Sequence, residues 1–83
     1  MERDEALTAI REVAVEVLSV QPESVVETAR FAEDLDADSL DLVELVMGLE
    51  ERFDISVPEE DLESVATVGQ AVDLVMSKVE AKE

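Results

Sequence analysis

A single serine, Ser39, heads an apolar-periodic segment and directly follows the acidic run Glu33-Asp34-Leu35-Asp36-Ala37-Asp38. The chain has no histidine and no cysteine, so it offers neither a base to activate that serine as a hydrolase nucleophile nor a thiolate to replace it. Ser39 is therefore read as an acceptor, a hydroxyl presented for another enzyme to modify. The acids beside it suggest a second chemistry, because Asp34, Asp36 and Asp38 alternate like the first ligands of an EF-hand calcium loop. Such a loop also needs glycine at its sixth position and a bidentate glutamate at its twelfth. Counted from Asp34, those positions hold Ser39 and Leu45, so the cage cannot close and no metal site is expected. Acid–base catalysis by paired carboxylates fares no better. Any two of the 23 acids would qualify on spacing, and so small and solvated a chain has little with which to shelter one and raise its pKa. No catalytic residue is assigned.

The elements that must hold Ser39 follow from hydrophobic spacing. Asp38 is a good N-cap, and Asp41 stands where a capping-box acid would, so a helix is expected from Ser39 to about Phe53. On its wheel Leu42, Leu45, Val46, Leu49 and Phe53 form one apolar stripe, the core face. Leu40, Val43 and Met47 form a second stripe flanked by Glu44, Glu50 and Glu51. A thin bundle cannot bury both stripes, so the second is expected to be a docking face, apolar for affinity and acidic for steering. The plain alternative is that Val43 packs under the next segment and only Met47 is exposed.

Upstream, Leu7, Ile10, Val13, Ala14, Val17 and Leu18 predict an amphipathic helix from Arg3 to about Ser19, with Asp4 and Glu5 at its positive end. Pro22 breaks regular structure, leaving a long loop from Val20 to Asp38 with a single turn near Glu23 to Val26, anchored by Val25, Phe31 and Leu35. Pro58 opens a short helix through Glu59-Glu60-Asp61-Leu62, and Thr67 caps a last helix to about Val79 that buries Val68, Ala71, Val72 and Val75. Residues 79–83 are expected to fray. The fold class is all-α: a small bundle of three principal helices and one short one, with a long loop between the first and second.

At 83 residues the chain is expected to be a single domain over residues 1–83, near the lower limit for folding without staples. Phe31 and Phe53 are its only aromatics, so the core must be aliphatic. The formal charge of −17, from 23 acids against 6 bases, argues against nucleic acid and against anionic membrane surfaces as partners. It favours salt-sensitive encounters with basic protein surfaces. No leader peptide and no membrane span is read in the sequence, and the lack of cysteine is compatible with a cytoplasmic chain.

Taken together, Glu33-Asp34-Leu35-Asp36-Ala37-Asp38-Ser39-Leu40-Asp41 and Val43-Glu44-Leu45-Val46-Met47-Gly48-Leu49-Glu50-Glu51-Arg52-Phe53 closely resemble the acyl carrier proteins. The resemblance extends over essentially the whole chain, including Phe31, the Ile55-Ser56-Val57-Pro58 exit and Thr67-Val68. It implies a non-catalytic monomeric carrier. Ser39 would receive 4′-phosphopantetheine from coenzyme A through a separate phosphopantetheinyl transferase, and acyl groups would ride on the arm's thiol. It further implies that Asp38, Leu40, Asp41, Glu44, Met47, Glu50 and Glu51 meet basic patches on acyl transferases, ketosynthases and other synthase enzymes. Acyl chains would be sheltered between helices, among Phe31, Leu45, Val46, Leu49, Phe53, Leu62, Val68 and Val72.

The sequence departs from the family pattern at two places. Asp36 stands where glycine is common, at a cost if the backbone there needs positive φ. Arg52 interrupts the acidic run that usually ends the recognition helix. Fatty acid synthesis is the expected pathway. Its rivals are a dedicated polyketide or other secondary-metabolite carrier, a peptidyl carrier, and a non-carrier acidic helical adaptor.

Overall fold

Small residues let the first helix sit against two neighbours at once. In the computed structural model, which describes residues 1–82, α1 (Arg3–Leu18) buries Ala6, Ala9, Ile10, Val13 and Ala14. Along that face it packs on both α2 (Ser39–Phe53) and α4 (Val68–Lys82). A 3-10 turn, Pro22–Ser24, and the four-residue α3, Glu59–Leu62, complete the elements, and the described residues contain no strand. Gly48 explains how close α1 and α2 come. A β-carbon there would lie 2.8 Å from Val13 Cγ1, so an interior glycine, normally unfavourable in a helix by about 1 kcal/mol, is accounted for by the contact.

The helix ends are set by local chemistry. Ser19 and Asp54 adopt the left-handed conformation that closes α1 and α2, with their amides donating to Val15 O and Glu50 O. At α4, Thr67 Oγ1 accepts from Gln70 N at 3.2 Å while Gln70 Oε1 accepts from Thr67 N at 3.0 Å, a reciprocal cap of the Thr-x-x-Gln type. The far end differs from expectation. α4 runs to Lys82 rather than stopping near Val79, because Glu80, Ala81 and Lys82 are good helix formers and no glycine or proline interrupts them. Of the end expected to fray, Glu83 lies outside the described residues.

Val25, Phe31 and Leu35 are all buried and anchor the long loop, as their spacing suggested. Backbone atoms do the rest. Gly69 N donates to Glu27 O, Val68 N to Ala29 O and Phe31 N to Ala66 O, at 2.9, 2.9 and 3.0 Å, sewing the loop to the start of α4.

Basic side chains make longer-range ties. Arg3 bonds Glu27 in the loop and Asp73 on α4, Arg11 donates to Val25 O, Arg52 pairs with Glu12 across α1 and α2, and Lys78 holds Asp61 at 2.9 Å. Arg30 pairs locally with Glu33. The hydrogen bond to Glu27, then that to Asp73, pushes the Arg3 guanidinium pKa up from its ordinary value. Each such half-exposed pair is worth about 0–1 kcal/mol. Together they engage Arg3, Arg11, Arg30, Arg52 and Lys78 with acids or carbonyls of the bundle.

Candidate functional site

The chain approaches Ser39 by alternation. Leu35 and Ala37 point into the core while Asp34, Asp36 and Asp38 stay exposed, so the acids face solvent instead of converging on an ion. Asp34 is used by the loop itself, its Oδ2 accepting from Arg30 N at 2.8 Å. Asp36 sits at φ 54°, the positive value that its place in the motif raised as a question, and its short polar side chain tolerates it. Among the described residues, no three acidic side chains are grouped so as to hold a metal.

Asp38 and Asp41 then cap α2 reciprocally. Asp38 Oδ1 accepts from Asp41 N at 2.9 Å, and Asp41 Oδ2 accepts from Asp38 N at 3.2 Å. With that role filled, Ser39 at the first helical position is exposed, and its hydroxyl bonds to no other described residue. It opens on a groove of about 350 Å³ bounded by Leu42 and Val43 of α2 and by Glu59, Leu62, Glu63 and Val65. Behind this lies an inner cavity of about 20 Å³ whose walls are wholly apolar, among them Phe31, Leu45, Val46, Leu49 and Leu62.

The second apolar stripe of α2 is open. Leu40, Val43 and Met47 are 66%, 36% and 56% exposed, so Val43 is not hidden beneath α3 as the plain alternative required. Asp38, Glu44 and Glu51 flank them in solvent, while Asp41 is half-buried in its cap. Glu50 behaves differently from the other proposed docking acids. It is half-buried and its Oε2 accepts from Val57 N at 2.7 Å, which commits it to the connection after α2.

The residues expected to shelter an acyl chain divide three ways. Phe31, Leu45, Val46, Leu49 and Leu62 meet around the inner cavity. Val68 and Val72 are fully buried core without lining it. Phe53 lines a separate surface cleft with Met1, Thr8 and Arg52, because it lies at the far end of α2. Leu42, Val57, Val65, Ala71, Leu74 and Val75 also line the inner cavity. The sequence placed Leu42, Ala71 and Val75 in the core but not around an acyl chain, and it did not single out Val57, Val65 or Leu74. For Leu74 the signal was present, since α4 carries apolar residues on more than one face.

Known proteins resemble this chain in sequence and fold. The family model described as the phosphopantetheine attachment site matches residues 8–75. The acyl carrier protein of Wolinella succinogenes is 60% identical over 63 residues, covering 76% of this chain and 83% of its own. That of Thermosynechococcus vestitus is 47% identical over 81 residues, covering 98% and 100%. The crystal structure of an acyl carrier protein from Thermotoga maritima superposes with a TM-score of 0.88 at 31% identity, over 100% of this chain and 96% of that one. Fold and match together define a helical domain whose prosthetic group is 4′-phosphopantetheine. The chain belongs to the acyl carrier protein family, non-catalytic carriers that work with synthase enzymes.

Proposed function

We propose that Ser39 is the attachment point of the 4′-phosphopantetheine arm and that the protein shuttles acyl thioesters between enzymes of fatty acid synthesis. The observation that carries the attachment is the division of labour at the start of α2: Asp38 and Asp41 satisfy the backbone, which leaves the exposed Ser39 hydroxyl without a structural duty. When bound, the arm supplies a terminal thiol, a group this cysteine-free chain lacks. The protein's own contribution is to present the hydroxyl at a rigid helix start and to recognise partners.

Recognition is assigned to Leu40, Val43 and Met47, rimmed by Asp38, Asp41, Glu44 and Glu51. Phosphopantetheinyl transferase, acyl transferases and ketosynthases would dock there through basic patches. Glu50 is left out of this surface because Val57 N holds it. Residues 1–83 act as one carrier domain, a monomer in the cytoplasm, with no call on nucleic acid or membrane. No described helix is long and apolar enough to cross a bilayer.

The test uses intact mass. The purified protein is incubated with coenzyme A, magnesium and a broad-specificity phosphopantetheinyl transferase. It should gain one phosphopantetheine, and Ser39→Ala should gain none. A folded wild-type protein that gains no mass overturns the attachment. In the same assay and in partner turnover, Glu44→Lys and Met47→Ala should slow reaction without unfolding the bundle; unchanged rates for both would remove the second stripe as the docking surface.

A further inference from the structure

Arg52 is the only base on α2 and stands in its last turn, directly after Glu50 and Glu51. A partner that approaches α2 with a basic patch would be opposed by a guanidinium lying beside Glu51 and Met47. The helix alone separates them only in part. Arg52 projects about 100° around the axis from Glu51 and about 140° from Met47, and a long side chain is free to lie back along the surface. Its neighbour one turn earlier is Gly48, which has no side chain to hold it.

A residue of α1 holds it instead. Gly48 is where α2 comes close to α1, so close that a β-carbon there would lie 2.8 Å from Val13 Cγ1. Glu12, next to Val13, is thereby brought to Arg52, and its Oε1 lies 2.5 Å from Arg52 Nη2. The two side chains are 54% and 46% exposed, so the pair lies at the surface and is not a prop of the core. Glu16, one turn further along α1, is also exposed and lies outside the pair.

We propose that Glu12 is a positioning residue for partner docking. By pairing with Arg52 across the α1–α2 contact, it holds the one cation of α2 away from Leu40, Val43 and Met47. A basic partner then meets no opposing charge from α2. The partners this arrangement admits are those whose carrier-binding face is basic along the whole helix, including opposite its last turn. The proposal rests on the docking surface assigned above, and it gives α1, which contributes no residue to that surface, a share in choosing partners. Neutralising Glu12 releases the guanidinium. Neutralising both members restores the wild-type net charge and removes the opposition.

The experiment measures KM and kcat for a phosphopantetheinyl transferase with a basic carrier-binding face. The substrates are wild type, Glu12→Gln, Arg52→Gln, the double variant and Glu16→Gln, which removes the same formal charge from α1 without touching the pair. In low salt, Glu12→Gln should raise KM about two- to fivefold with kcat unchanged, the upper end being the limit for a half-exposed ion pair. Glu16→Gln should raise it less, and the double variant should return to the wild-type value. The excess should vanish in salt of about 0.5 M, where the screening length is about 4 Å. Equal effects of Glu12→Gln and Glu16→Gln would overturn the proposal, as would no rise at all. So would a rise that Arg52→Gln shares or that persists in the double variant, because a tie needed only for structure is lost in all three. If Glu44→Lys and Met47→Ala slow this transferase while Glu12→Gln does not, the positioning role alone falls. If none of the three has an effect, or wild type gains no phosphopantetheine, the docking reading falls and the role with it.

Discussion

Asp38→Ala should loosen the start of α2 by a calculable amount. The substitution removes the acceptor of the 2.9 Å bond from Asp41 N and leaves the partner bond, Asp38 N to Asp41 Oδ2 at 3.2 Å, without its reciprocal restraint. Loss of an N-cap side chain costs about 1 kcal/mol, with a range of roughly 0.5–2. In a domain of this size each kcal/mol moves the melting temperature by about 4–8 °C. Two charge effects pull in opposite directions. A carboxylate at a helix N-terminus contributes about 0.3–1 kcal/mol, while losing one negative charge relieves the repulsion of a −17 molecule. Asp38→Asn separates bond from charge, since asparagine caps about as well as aspartate.

Urea denaturation suits the measurement because it leaves ionic strength unchanged. The alanine variant should lose about 1 kcal/mol at constant m-value, and the asparagine variant at most about half of that. Hydrogen exchange at the Asp41 amide should quicken in the alanine variant alone. An alanine variant with the wild-type midpoint, or an asparagine variant that falls as far, would show that these bonds do not hold the helix start.

Two further predictions concern the bundle. The melting temperature should rise as salt is raised from 0.01 to 0.1 M, because the screening length falls from about 30 Å to about 10 Å. The first spans nearly the whole molecule, 33 × 25 × 19 Å, and the second does not. A flat or falling melting temperature would mean that the surface ion pairs outweigh the net repulsion. Gly48→Ala should fail to give the roughly 1 kcal/mol helix-propensity gain and should destabilise instead, because overpacking against Val13 costs about 1–3 kcal/mol. In a Val13→Ala background the same change should become neutral or favourable. Equal effects in both backgrounds, measured by a double-mutant cycle in urea, would remove the contact as the cause.

Features that depend on neighbours in sequence were readable before any coordinates. The spacing of Ile10, Val13, Ala14 and Val17 implied α1, and the Asp38/Asp41 pair implied the capped start of α2. The two stripes on α2 also separated as their wheel positions required, with Leu45 and Leu49 buried and Leu40 and Met47 exposed. What escaped depends on closure of the chain in space. Arg3 finds Asp73 across 70 residues, and nothing local singles out one acid among 23 as its partner. Glu50 looked like its exposed neighbours until the connection after α2 brought Val57 N to it. Phe53 keeps the wheel position of the core stripe and packs against the core, but one more turn of helix carries it past the inner cavity to a surface cleft with Met1 and Thr8. The wall that Leu42, Leu62 and Val65 share between the outer groove and the inner cavity was equally hidden, because it exists only once the chain after α2 folds back against it.

The seam between the long loop and α4 sets how this protein tolerates change. Main-chain atoms of Glu27, Ala29 and Phe31 meet those of Gly69, Val68 and Ala66, so most of the register is independent of which side chains the loop displays. Thr28, exposed between those contacts, is free to drift in identity, and Arg30 adds only its local pair with Glu33. A single inserted or deleted residue is another matter. It would shift every donor past its acceptor and move Phe31, Leu35 and Ala37 out of the core together. Variation in this segment is therefore cheap by substitution and costly by length, which keeps Ser39 at one fixed distance from the seam whatever the loop displays around it.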